Sequence, residues 1–292
     1  MKKFMKNIII LGVVLLTIAS CKVGPNYQEP EEKTPQTFRY SNNATDSIIN
    51  LNWWELFKDP TLDTLIKTAL KQNKNLLIAA SRIEQARANV KFNKADMGPK
   101  LGVQAGAGVS NQLFGLPTNS NFENYSAAGT FNWELDFWGK FRRSTEAAKA
   151  DMLGTFYGKR AIEIALISEV ATNYFELLDY KARLAISEST LALRDSTLQI
   201  IQSRFDEGYT HIIDVNQAEI QKGITQASVP RFKRFIAFTE HNINLLLGKN
   251  MDSVVTIKSL LDYNMPDSIP TGIPSEILQR RPDILQTEQF YR

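Results

Sequence analysis

Few side chains in this sequence are of a kind and spacing that could do covalent or acid–base chemistry. Among 292 residues there is one cysteine and there are two histidines. The lone thiol, Cys21, can form no internal disulfide, and Cys₄ and Cys₂His₂ zinc sets are excluded by count. His211 and His241 lie 30 positions apart with no cysteine near them, so a histidine-built metal centre is not expected either. No glycine-rich loop opens a helix to cradle phosphate, and there is no strand–turn–helix nucleophile elbow. Carboxylates are abundant, yet none stands out from solvated faces. The expectation is a protein that is no enzyme and carries no cofactor and no metal. What remains is the thiol itself, a nucleophile that can accept an acyl group.

The setting of Cys21 favours that chemistry. Met1 to Asn7 is basic, Ile8 to Ile18 is an apolar run interrupted only by Gly12 and Thr17, and the small residues Ala19 and Ser20 precede the cysteine. This is the layout of an export signal, and the run is shorter than the roughly 20 apolar residues a membrane-spanning helix needs. Leu16-Thr17-Ile18-Ala19-Ser20-Cys21 resembles the lipobox of bacterial lipoproteins, which implies cleavage before Cys21 and attachment of lipid to its sulfur. A plain signal peptide with a coincidental cysteine is the other reading. Residues 1–20 are assigned to the signal. The formal charge of +3 then loses Lys2, Lys3 and Lys6 and falls to zero in the mature chain. That removes the basic surface on which a nucleic-acid partner would depend.

The elements that follow must position whatever the chain does. Residues 21–50 are rich in Pro, Glu, Thr, Asn and Ser and read as an extended tether. Order returns at Trp53-Trp54. Apolar spacing then predicts a helix over 61–96, with a break near residues 72–75 and a stop at Gly98-Pro99. From Leu101 the period changes to two. Strands are predicted over 101–110 and 124–137, with Tyr125, Ala127, Gly129, Phe131, Trp133, Leu135 and Phe137 on one face. Asn132, Glu134 and Asp136 share the other face. Such alternation fits a half-buried hairpin in a soluble domain. It also fits strands of an outer-membrane β-barrel, where Asn132, Glu134 and Asp136 would face a lumen or form hydrogen bonds near its rim. Two strands cannot close a barrel, so that second reading requires further copies.

A long helical hairpin is predicted over 142–248. Val170, Leu177, Leu184, Leu191, Leu198 and Phe205 recur every seven residues, with the small residues Ala171, Ala185 and Ala192 beside them; such a seam suits packing along a partner helix. Gly208 ends the first helix, Thr210 is placed to cap the second, and Pro230 is expected to kink it. Ile213, Ile220, Ile224, Ala227, Phe235, Phe238, Leu245 and Leu246 are the expected apolar residues of the second helix. A coiled-coil arm that belongs to no channel would show the same pattern. Residues 249–274 read as a linker. Residues 276–288 can be laid over 68–80, so 275–292 is expected to open a second, truncated repeat.

Taken in order, several segments resemble the TolC-like outer-membrane efflux family, and among its members the NodT-type lipoproteins. They are Cys21 with Val23-Gly24-Pro25-Asn26-Tyr27, Trp53-Trp54 with Asp59-Pro60, and Trp133 through Lys140. Further on come Gly208 with Asp214-Val215, Leu245 through Gly248, and Arg281-Pro282-Asp283-Ile284. The resemblance implies a mainly α fold with a β hairpin. The helical hairpin would be part of an α-barrel tunnel, and the strands part of a shared transmembrane β-barrel, built as a homotrimer. It further implies an outer-membrane position with lipid on Cys21, a periplasmic adaptor protein met at the tip Gly208-Tyr209-Thr210, and an inner-membrane pump. The function implied is a passive exit duct for drugs or other toxic small molecules. A protein-secretion outlet and a lipid-anchored periplasmic spacer are the alternatives.

Overall fold

The computed structural model describes residues 24–28, 52–113, 116–263 and 278–292. The fold is mainly helical with one small sheet. In chain order the elements are α1 (Pro60–Gln72), α2 (Lys74–Ala95), β1 (Lys100–Leu113), β2 (Leu116–Asn132), α3 (Lys140–Asp206), α4 (Ile212–Leu247) and α5 (Pro282–Tyr291). A 3₁₀ turn over Trp53–Phe57 precedes α1 and another covers Leu260–Asp262. The chain divides into two compact units, one drawn from residues 33–80 and 157–284, the other from 1–32, 81–156 and 285–292.

The first unit holds the apolar core. Asp59 begins α1 by accepting the N–H groups of Thr61 at 2.8 Å and Leu62 at 3.3 Å on Oδ1, with Pro60 at the first helical position. Both are standard ways of satisfying or removing the orphan donors of a helix start. The break expected near residues 72–75 falls on Asn73, which joins two helices. Its N–H donates to Ala69 O at 2.9 Å, its Oδ1 accepts from Leu76 N at 3.1 Å, and its Nδ2 donates to Leu246 O on α4 at 2.8 Å. Leu62, Ile66, Val170, Tyr174, Leu177 and Ile243 are completely buried together. Farther along the seam, Leu184, Leu191, Leu198 and Phe205 are only half-buried, because α4 alone covers one side of α3. Pro230 sits inside α4, which continues to Leu247. Gly248 ends α4 at φ +65°, and a Cβ there would stand 2.7 Å from Gln72 O, so backbone and packing both demand glycine.

The apolar residues expected in α4 divide: Leu246 packs against the core and Phe235 meets Tyr180 of α3 at 5.2 Å, while others stay outside. The buried side chains of α4 are Val215, Thr239, Ile243, Asn244 and Leu247, whereas Ile213, Ile220, Ile224, Phe238 and Leu245 are exposed. The helix carries two apolar stripes, and its packing within the first unit uses the one less evident in the sequence.

The second unit holds the sheet. β1 and β2 pair antiparallel from Lys100↔Asn132 to Leu113↔Leu116, with a bulge between Ser110 and Gln112. β2 therefore begins eight residues earlier than predicted and ends five earlier. The ladder continues through the Asn- and Pro-containing stretch because main-chain pairing does not require alternating side chains. Past Asn132 the alternation persists in the sequence, but the chain leaves the ladder. Trp133 Nε1 donates to Met97 O at 3.1 Å, and Gly139 turns at φ +84° into α3.

Candidate functional site

Cys21 lies outside the described residues. Side chains from distant parts of the sequence hold the segment just after it. Arg143, near the start of α3, donates from Nη2 to Gly24 O at 2.7 Å and Pro25 O at 3.3 Å. Gly24 adopts φ +101°, open to glycine and strained for any other residue. Tyr27 meets Tyr291 edge-on at 6.4 Å, and the Arg292 guanidinium lies 4.8 Å from the Tyr27 ring centre. α5 approaches α3 closely at Gly154, where a Cβ would come within 2.8 Å of the Phe290 ring.

The hairpin has two faces of opposite character, and both are bare. Its register aligns Leu101 with Phe131, Val103 with Gly129, Ala105 with Ala127 and Ala107 with Tyr125 on one side. On this face Leu101 is 81%, Val103 87% and Phe131 67% exposed. Gly102, Gln104, Gly106 and Gly108 face Thr130, Ala128, Ser126 and Asn124 on the other. Just beyond the strands, Trp133, Leu135, Phe137 and Trp138 are exposed as well. An isolated two-stranded sheet is marginal in water, so this surface calls for other strands and an apolar medium.

The three candidate lumen residues separate. Asn132 closes the ladder opposite Lys100. Glu134 and Asp136 lie past the end of β2 and not on its polar face, which corrects the strand prediction. Glu134 pairs with Lys140 at 3.0 Å. Asp136 serves the start of α3: its Oδ2 accepts Arg142 N at 2.9 Å and Arg142 Nε at 3.3 Å. Burial alone would raise the Asp136 pKa. The N–H groups of Arg142 and Phe141, with the Arg142 guanidinium, outweigh it and hold the carboxyl below its ordinary value.

At the far end of the helical hairpin, Gly208 turns at φ +78° and its N–H donates to Phe205 O, while Tyr209 N donates to Arg204 O. Tyr209 projects with 82% of its surface exposed. The N-cap of α4 is His211 and not Thr210, whose hydroxyl donates instead to Asp214 Oδ2. Asp214 also accepts His211 N at 3.2 Å. The Thr210 hydroxyl first, then this N–H, lower the Asp214 pKa. Beside the tip a cleft of about 260 Å³ between α3 and α4 is lined by Arg194, Thr197, Ile201, Asp214, Gln217 and Gln221.

One buried cluster escaped the sequence reading. Tyr174 and Tyr263 both donate their hydroxyls to Asp59 Oδ2, Tyr174 at 2.6 Å. Burial acting with Asp59 pushes the Tyr174 pKa far up and that of Tyr263 to about 12. Asp59 itself is held below the ordinary value: burial raises it, but the two hydroxyls and the N–H groups of Thr61 and Leu62 together prevail. Only Asp59-Pro60 was visible in the sequence, because the partners stand 115 and 204 positions away. Among the described residues no cluster of His, Cys, Asp and Glu could hold a metal ion, and no helix is long and apolar enough to cross a membrane.

A bare, two-faced strand hairpin leading into a long helical hairpin is the arrangement that a family model described as outer membrane efflux protein recognises, matching residues 65–249. The chain belongs to the outer membrane efflux protein family. The cation efflux system protein CusC of Escherichia coli O6:H1 is 30% identical over 281 residues, covering 94% of this chain and 60% of CusC. Nodulation protein T of Rhizobium leguminosarum bv. trifolii is 30% identical, covering 94% and 59%. Among solved structures, the outer-membrane channel OprN superposes with a TM-score of 0.78 at 28% identity, over 92% of this chain and 62% of OprN. A solved structure of CusC superposes at 0.75 and 28%. The chain thus spans about three fifths of the length of the family members it matches.

Proposed function

We propose that this chain contributes to an outer-membrane exit duct of a tripartite efflux pump, attached to the membrane through lipid on Cys21. One observation carries the reading: a strand hairpin with an apolar face and a polar face, both exposed, whose edges can pair with further strands. In a shared barrel the apolar face meets lipid and the polar face meets water, and exposed aromatics flank the strands as in an interfacial girdle. In a homotrimer three such two-stranded hairpins sit side by side, still fewer strands than the about eight that close a barrel, so further strands complete it. The tip at Gly208, Tyr209 and Thr210 meets a periplasmic adaptor, and Asn132 lines the lumen at its periplasmic rim. Passage is passive, with energy from an inner-membrane partner. CusC is named a cation efflux protein and TtgC of Pseudomonas putida a toluene efflux pump protein, which supports small solutes over secreted polypeptides as cargo. The bare apolar strand face speaks against a soluble periplasmic spacer.

The test is metabolic labelling with a clickable palmitate analogue, followed by membrane fractionation. Labelled protein is expected in the outer-membrane fraction, with the label lost in Cys21→Ala. Unlabelled wild-type protein in the periplasmic fraction would sink the reading.

A further inference from the structure

Charge is spread unevenly about the strand hairpin. From Leu101 to Asn132 there is one charged residue, Glu123, and it stands opposite Val109 toward the turn. The uninterrupted ladder from Lys100 to Ser110 is about the length of a tilted membrane-spanning strand. Both flanks of the hairpin, 91–100 and 133–142, lie at its other end, where Lys100 pairs with Asn132. These flanks carry five lysines and arginines and three carboxylates.

All three carboxylates are taken. Asp96 pairs with Lys100 at 2.7 Å, Glu134 with Lys140 at 3.0 Å and Asp136 with Arg142 at 3.3 Å. Two cations are left over, Lys91 and Lys94 near the end of α2. Both are exposed, and neither has an ion pair among the described residues. Asn93, between them, accepts the Ser144 hydroxyl of α3 at 2.7 Å. At about 3.6 residues per turn, Lys91 and Lys94 fall side by side on the face turned from that contact. Phe92 adjoins them with 69% of its surface exposed, and the bare Trp133, Phe137 and Trp138 follow β2 at the same end. Rings seat at headgroup depth in a bilayer, and lysine stems carry their charge outward past them.

We propose that the end of α2 is a headgroup site for anionic phospholipid, with the Lys91 and Lys94 ammonium groups on the lipid phosphate and Phe92 at the acyl boundary. The inference rests on reading the strands as part of a barrel, and it names the lipid that meets their inner rim. Charge decides the occupant. A zwitterionic headgroup brings an ammonium group of its own and offers two unpaired lysines no net attraction, whereas an anionic one does. The N-terminal segment lies at the same level, since Arg143, which holds Gly24 and Pro25, is the neighbour of Ser144. Three residues back to Cys21 reach at most about 10 Å, so acyl chains there would enter the same leaflet.

The test reconstitutes the full chain in phosphatidylcholine vesicles containing increasing amounts of acyl-brominated phosphatidylglycerol or, in parallel, acyl-brominated phosphatidylcholine. Phe92→Trp adds a tryptophan at the site, and the fluorescence it adds over the parent chain reports bromine contact. Half-maximal quenching is expected at about tenfold lower mole fraction of the brominated phosphatidylglycerol, the difference shrinking with salt. Lys91→Gln with Lys94→Gln should abolish the preference, and Lys91→Arg with Lys94→Arg should keep it, circular dichroism being unchanged in both. If Phe92→Trp does not fold, Trp133 and Trp138 of the unaltered chain report the same comparison. Equal quenching by the two lipids, or a preference that survives the glutamine pair, overturns the proposal and leaves the duct reading standing. Quenching by neither lipid overturns it too, by taking this end of the hairpin out of the membrane. The duct reading is decided separately, by acylation and fractionation.

Discussion

Asp59 shows how much of this fold hangs on single polar groups placed among apolar ones. One oxygen opens α1 and the other receives two tyrosine hydroxyls, so a buried carboxylate is fully used. Asp59→Asn should cost about 1–3 kcal/mol, because one of the two acceptor oxygens becomes an NH₂ donor facing groups that are themselves donors; urea denaturation of the detergent-solubilised chain measures it. The pH dependence has a definite sign at each end. Asp59 is lowered in the folded state, so its contribution is present above the unfolded carboxyl pKa of about 4 and fades as pH falls through the folded value. Tyr174 and Tyr263 are raised, so theirs is present below about pH 10 and is lost as pH climbs through about 12 for Tyr263. Thermal melts across that range should show a plateau with losses at both ends in wild type. In Tyr174→Phe with Tyr263→Phe the alkaline loss attributable to the pair should be absent. A helix beginning near residue 61 was legible; the part of Asp59 in starting it and the two tyrosines were not, since nothing in sequence links residues so far apart.

At the scale of elements, periodicity was a good guide to what forms and a poorer one to where it faces. The long helices are evident from their spacing and from the absence of proline in α3, and Gly208 and Gly248 mark their ends. β2 was misplaced because alternation through Trp133, Leu135 and Phe137 continues beyond the ladder, while Asp136 and Gly139 redirect the backbone into α3. Asp136→Ala should therefore fray the start of α3, at about 0.5–2 kcal/mol. Hydrogen exchange at residues 140–144 would register it, and unchanged protection would show that Arg142 needs no such partner. The glycine that admits α5 makes a sharper case. Gly154→Leu places a branched side chain where Phe290 already stands 2.8 Å from a Cβ. Displacement of α5 should follow, read as faster proteolysis near the C-terminus with α3 and α4 still helical.

For the molecule as a whole, the apolar surface lies in the wrong place for life in water. The strand face, the aromatics beyond it and the outer stripe of α4 are all uncovered. A Cys21→Ser variant without lipid should still require detergent and should associate in its absence, as sedimentation velocity would reveal. A monodisperse, water-soluble variant would mean that these surfaces are satisfied within one chain. The sequence by itself carried the expectation of an export signal and an acylated Cys21, and it determined the change from helical to strand period and the presence of the helical hairpin. These are properties of composition and local spacing, which neighbours in the chain decide. Only the tertiary structure decided which stripe of α4 is buried, that Glu134 and Asp136 leave the strand, that Asp59 gathers two distant tyrosines, and that Arg143 holds the residues after Cys21. Each of these depends on groups far apart in sequence meeting in space. Hydrophobic burial is non-directional, so it can select between two apolar stripes only after the partners have arrived.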